Sequence, residues 1–153
     1  MVSDPRRQYA LVLAGLFAVC WVALAIRPID RSTWLLESAL SVAAVATLIA
    51  LHRRLPFSRV SYTLIFVFLC LHTLGAHYTY SEVPYDAWFE QLTGRSLNGL
   101  VGWERNNFDR VVHLTYGLLL AYPVREVFLR VADVRGFWGY FLALLYLAYP
   151  QGR

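Results

Sequence analysis

The feature that most constrains this chain is the segment Tyr9 to Ile26, YALVLAGLFAVCWVALAI, 18 residues without a charge. As a helix it spans roughly 27 Å, close to the ~30 Å hydrocarbon core of a bilayer. Arg6 and Arg7 precede it and Ala23-Leu24-Ala25 closes it, which loosely fits a cleaved leader. The run exceeds the roughly 7–15-residue core of a signal peptide, however, so it reads as a span. Four further apolar runs follow. Trp34 to Leu51 is broken by Glu37, Val60 to Tyr80 contains His72 and His77, and Arg110 to Val124 carries His113. Phe137 to Tyr149 is strongly apolar but covers roughly 20 Å as a helix, short for a crossing. It runs directly into Pro150-Gln151-Gly152-Arg153, so an atypical or truncated end is expected there. Lipid offers backbone groups no partners, so each run must satisfy its own hydrogen bonds as a helix. A membrane β-barrel would need alternating polar and apolar residues, which continuous runs exclude. The expected fold is all-α, a polytopic membrane helical bundle of four to five spans, built as one integral membrane domain over residues 1–153.

Charge sets the partners and the orientation. Only 16% of residues are charged against 58% hydrophobic, where a soluble domain has about 25% charged. All 14 basic residues are Arg, and the net charge of +4 is too dispersed for a nucleic-acid surface. The bilayer is the expected partner. Arg6 and Arg7, the second connection (Arg53, Arg54, Arg59) and the fourth (Arg125, Arg130, Arg135) hold eight of the 14. The third connection, Ser81 to Phe108, has four acids against two Arg. The positive-inside bias therefore places the N-terminus in the cytoplasm and the third connection outside. Within that connection Tyr85, Trp88, Phe89 and Leu92 share one face, opposite Asp86, Glu90 and Gln91. Pro84 suits the first turn, and a short interfacial helix is expected. Thr93 to Gly102 then reads as a Gly/Asn/Ser loop, a connector or else a lid over what lies beneath. Cys20 and Cys70 lack any metal or disulfide spacing and read as small buried hydrophobes.

Ionisable residues within spans are expensive and mark sites. With alternating topology, Glu37, His77, Asp109 and His113 fall at one depth, about one turn beneath the outer face. On the fourth helix Asp109, His113, Tyr116 and Leu120 form a stripe; on the third, Cys70, Thr73, His77 and Tyr80 do so. His72 lies about 140° round the helix from His77, which separates it from the set. Gly75 and Gly117 are expected to allow close helix approach. The candidate pocket is thus Glu37, His77, Asp109 and His113 with Tyr80 and Tyr116. His77, Asp109 and His113 would be the ligands of a divalent metal such as Zn, Mn or Fe. Asp109 could instead orient His113 as a general base. Arg105 and Arg110 would contact lipid headgroups or neutralise Asp109. The competing reading is a polar network that only fastens helices. A small transporter is disfavoured, since no internal repeat or broken helix is visible.

LHTLGAHYTYSEVPYD (Leu71 to Asp86) and GWERNNFDRVVHLTYG (Gly102 to Gly117) resemble the paired signatures of the YjdF-like family of bacterial inner-membrane proteins. The likeness covers about a third of the chain and implies a multi-helix protein of the inner (cytoplasmic) membrane, with no particular activity. Asp109-Arg110-x-x-His113 is also similar to the Asp-Lys-x-x-His element of VanZ-like envelope proteins, which are associated with glycopeptide-antibiotic tolerance; Arg stands here in place of Lys. YjdF-like proteins usually continue with a carboxylate-bearing fifth helix, a Gln-Gly-Asp-type loop and a final span. Here the fifth run carries no acid and stops at Arg153. If those carboxylates complete a metal site, the resemblance implies a partial or inactive form.

Overall fold

The computed structural model describes residues 5–131 and 136–148, so the expected chain end after Tyr149 lies outside the described residues. The elements are α1 (Pro5–Leu24), α2 (Arg31–Leu51), α3 (Arg59–His77), α4 (Tyr85–Thr93), α5 (Leu97–Val101), α6 (Phe108–Val131) and α7 (Phe137–Ala148). No strand occurs among the described residues. Among the described residues three helices, α1, α2 and α3, are long and apolar enough to cross a membrane. α6 has 24 residues, but Asp109 and Arg110 open it and Arg125, Glu126 and Arg130 crowd its far end. It continues past Val124 in spite of the internal Pro123. α7 has 12 residues.

Local chemistry sets the ends. Asp30 caps α2, its Oδ1 accepting from the backbone N–H groups of Ser32 (2.7 Å) and Thr33 (3.0 Å). Ser58 caps α3 in the same way, accepting from Ser61 N–H at 3.2 Å. The short helix expected in the third connection forms as α4, with Pro84 one position earlier than expected, as the residue before the first turn. α4 ends at Gly94, whose φ of 73° is the left-handed conformation that terminates helices. The expected connector after it is not featureless: Ser96 Oγ accepts from Gly99 N–H at 3.0 Å and starts α5. The hydroxyl at the cap position supplies what the loop composition concealed.

Helix α3 is central, packing against α6, α1 and α2, while α7 packs on α6. The buried apolar cluster is small: Val83, Phe108 and Val112, with Phe68, Leu71 and Leu74 of α3 against it. It therefore sits where α3 ends and α6 begins. Phe17, Trp34, Phe57, Tyr62 and Leu69 are buried as well, but many other large apolar side chains point outward, among them Val19 on α1 and Leu36 on α2 at 70% and 73% exposed. Water would not tolerate so much contiguous apolar surface, whereas lipid does. Buried Ser38 and Ser41 keep the inner side of α2 small, as close packing between membrane helices requires. Gly117, in contrast, has open space where a Cβ would stand, so it does not serve the close approach expected of it.

Candidate functional site

The end of the bundle where α2 begins, α3 ends and α6 begins holds most of the expected site residues. α3 stops at His77, and Thr79 (φ 52°) and Tyr80 (φ 59°) both take the left-handed conformation. The chain folds back, with Tyr80 N–H donating to Gly75 O at 2.7 Å. The Cδ1–Cε1 edge of the Tyr80 ring lies against Gly75: a Cβ at that position would run into it. Gly75 is thus a site of close approach, but for an aromatic ring from its own chain end rather than for a neighbouring helix.

This return carries the Tyr80 hydroxyl toward the middle of α3. It donates to Glu37 Oε2 at 3.2 Å and lies 2.9 Å from His72 Nδ1. The Nε2 atom of His72 is 3.4 Å from the Glu37 carbonyl oxygen and 3.5 Å from Oε2. A hydrogen on Nδ1 makes the network run one way, from His72 to Tyr80 to Glu37. Its parts come from α2, α3 and the turn after α3. Glu37 and Tyr80 therefore meet directly, and His72, which the helical wheel had set apart, contacts both. The wheel treats Tyr80 as a continuation of α3; the left-handed turn reverses it.

His77 serves another purpose. Its Nδ1 lies 2.7 Å from Leu24 O, and its own carbonyl accepts from Ile29 N–H at 3.0 Å. Leu24 ends α1, so the imidazole satisfies a carbonyl that the helix end leaves orphaned. His113 is exposed, with Nδ1 2.8 Å from the Asp109 carbonyl one turn back on its own helix. Tyr116 packs edge-on to Phe68 at 5.6 Å. Arg105 and Arg110 are exposed, and among the described residues neither forms an ion pair with Asp109. Asp109 Oδ1 and the neighbouring Asn107 Oδ1 are buried without hydrogen-bond partners. Among the described residues no group of three or more His, Cys, Asp or Glu is placed to hold one metal ion. Cys20 and Cys70 are free thiols.

Above this end, α4 and α5 are tied together. Asp86 Oδ1 accepts from Asn98 N–H at 2.8 Å and Asp86 Oδ2 from Ser96 Oγ at 2.9 Å. The Asn98 amide, more than Ser96, holds the Asp86 carboxyl below its ordinary 3.8. Tyr85 donates to Asn98 Oδ1 at 2.7 Å and stacks on Phe108, while Trp88 meets Tyr78 edge-on.

At the opposite end the sequence reading missed a second polar centre. Glu126 of α6 is 8% exposed. It accepts from Ser58 N–H at 2.9 Å, from Ser58 Oγ at 3.0 Å, from the Ser61 hydroxyl and from the Arg130 guanidinium. Arg130 also donates to Pro56 O. The available signals were Glu126 and Arg130 four apart on one helix and a Ser-x-x-Ser start to α3. Neither said that the two would meet.

Residues 9–149 match the family described as Predicted membrane protein (DUF2238). The chain is 35% identical over 107 residues to Inner membrane protein YjdF of Escherichia coli (strain K12). That alignment covers 70% of this chain and 47% of the relative, so the chain spans about half the length of the curated protein it matches. No solved structure matches.

Proposed function

The chain belongs to the DUF2238 family of predicted membrane proteins, and from that premise we propose that it is a bacterial inner-membrane protein whose Glu37, His72 and Tyr80 act as a polar lock between α2 and α3. In this reading the bundle has four to five spans, with α6 as the fourth and α7 contributing the partial fifth. The N-terminus is cytoplasmic, by the Arg bias, and α4 lies in the outer interface. The likeness to Inner membrane protein YjdF of Escherichia coli supports the inner membrane. The observation that carries the lock is the Tyr80 hydroxyl, set between Glu37 Oε2 at 3.2 Å and His72 Nδ1 at 2.9 Å. A hydroxyl that bridges two helices removes the penalty of a carboxylate facing hydrocarbon. Thermal unfolding of Glu37→Gln, Tyr80→Phe and the double variant, in detergent micelles, tests it. The single losses should exceed the additional loss in the double variant; strict additivity would refute the lock.

A second reading is favoured by the unpartnered oxygens of Asn107 and Asp109. It is a pocket at the same end that takes a divalent metal ion or a polar lipid group, anchored on Asp109 and Asn107, with Arg105 and Arg110 at its rim. Elemental analysis of the purified protein beside Asp109→Asn tests the metal form. Stoichiometric metal lost in the variant would establish it, and metal-free parent protein would remove it.

A further inference from the structure

At the end opposite the lock, a groove of about 560 Å³ opens between α1, α2 and α3. It is formed where α1 starts, α2 finishes and α3 starts. Its wall is apolar, with Phe17 of α1, Leu48 of α2 and Ile65 and Leu69 of α3 among the lining residues. Its mouth is basic: Arg7 and Arg53 line it together with His52, and no acid is among the lining residues. His52 is fixed there by its Nδ1, 2.7 Å from the Tyr62 hydroxyl. Among the described residues neither arginine has an ion pair.

The dimensions select an occupant. From Arg7 to Phe17 the groove follows α1 for roughly 15 Å, half the ~30 Å hydrocarbon core, so it serves one leaflet. The volume lies within the roughly 300–1,000 Å³ of pockets that enclose small molecules. A free anion would satisfy the arginines and leave the apolar wall empty. A lipid without phosphate would fill the wall and leave the arginines facing nothing, and a zwitterionic phospholipid would bring its phosphate together with a quaternary ammonium that they repel. Basic pockets between membrane helices are suited to anionic headgroups.

We propose that this groove binds an anionic phospholipid, with an acyl chain along Phe17, Leu48 and Leu69 and the phosphate at Arg7 and Arg53. The site is separate from the Glu37 lock and needs neither that reading nor a particular orientation; it requires only that the arginine end face a headgroup layer.

The test is native mass spectrometry of the full chain in nonionic detergent, with added dioleoylphosphatidylglycerol or dioleoylphosphatidylcholine. The anionic lipid should be retained about tenfold or more in preference to the zwitterionic one. Arg7→Gln with Arg53→Gln should bring that ratio close to one, and Arg7→Lys with Arg53→Lys should keep most of it. Ala14→Trp, which fills the groove from α1, should remove retention of both lipids. Leu48→Trp repeats the test from the facing wall should Ala14→Trp fail to fold by circular dichroism. Equal retention of the two lipids overturns the proposal. So does preference unaffected by either tryptophan, which would place the lipid on the outer surface. A dimer that the tryptophans disperse would assign the groove to a second copy of the chain and overturn it as well.

Discussion

Two glutamates lie within the bundle near opposite ends, Glu37 on α2 and Glu126 on α6, and they are held very differently. Glu126 has its side chain 10% exposed and receives a backbone amide, two serine hydroxyls and a guanidinium. Its charge is matched and its oxygens are occupied. The Glu37 side chain is 30% exposed and has one hydroxyl and a more distant imidazole on a single oxygen. Glu126 fastens the second connection to α6, as a structural carboxylate does; Glu37 relies on a phenol brought in by an unusual turn. A carboxylate that interrupts an apolar run is conspicuous in sequence, and the better anchored one was masked by the arginines beside it.

The largest expected effect tests that asymmetry. Glu126→Ala strands Ser58 N–H, the Ser61 hydroxyl and Arg130 together, and should lower stability in micelles by about 3 kcal/mol. Glu37→Ala should lose about 1 kcal/mol, since its partners can turn to other groups. Equal losses would erase the distinction between the two ends. Next comes Gly75→Ala, expected to cost about 2 kcal/mol by pushing the Tyr80 ring off α3. In a Tyr80→Ala background that cost should nearly vanish; if it persists, the close approach is not to Tyr80.

Smaller effects separate the imidazoles. His77→Ala should lose about 1 kcal/mol by freeing the Leu24 carbonyl, whereas exposed His113→Ala should stay within about 0.5 kcal/mol. Matching losses would contradict their different placement. The mildest prediction concerns pH. The Asp86 carboxyl titrates lower in the folded chain than in the unfolded one, so its contribution is complete above 3.8 and fades as pH falls through the lowered value. The protection of the Asn98 amide, relative to its intrinsic exchange rate at each pH, should fall over that acid range, and Asp86→Asn should flatten the dependence.

Much of the bundle was legible because apolar runs of helical length have one solution in lipid. α1, α2 and α3 follow their runs closely, and α4 emerges from its aromatic stripe. α6 outran its segment because charged ends that discourage a span do not discourage a helix. Of the candidate site only the neighbourhood was legible: the polar residues at the start of α2, the end of α3 and the start of α6 lie toward one end of the bundle. Facing was not, since a wheel drawn through Tyr80 assumes the helix continues. His72 was set aside because it lies about 140° round the helix from His77, and His77 was retained, although a helix end nearby had a carbonyl to offer it.

The order of amino acids by itself determined that this polypeptide is helical and membrane-bound, because hydrocarbon accepts no open backbone and these stretches contain too little charge to stay in water. Which side chains meet was decided only in three dimensions. A left-handed reversal at Thr79 and Tyr80, a bare glycine beneath the ring and a serine pair facing a distant glutamate are long-range coincidences that no local periodicity encodes.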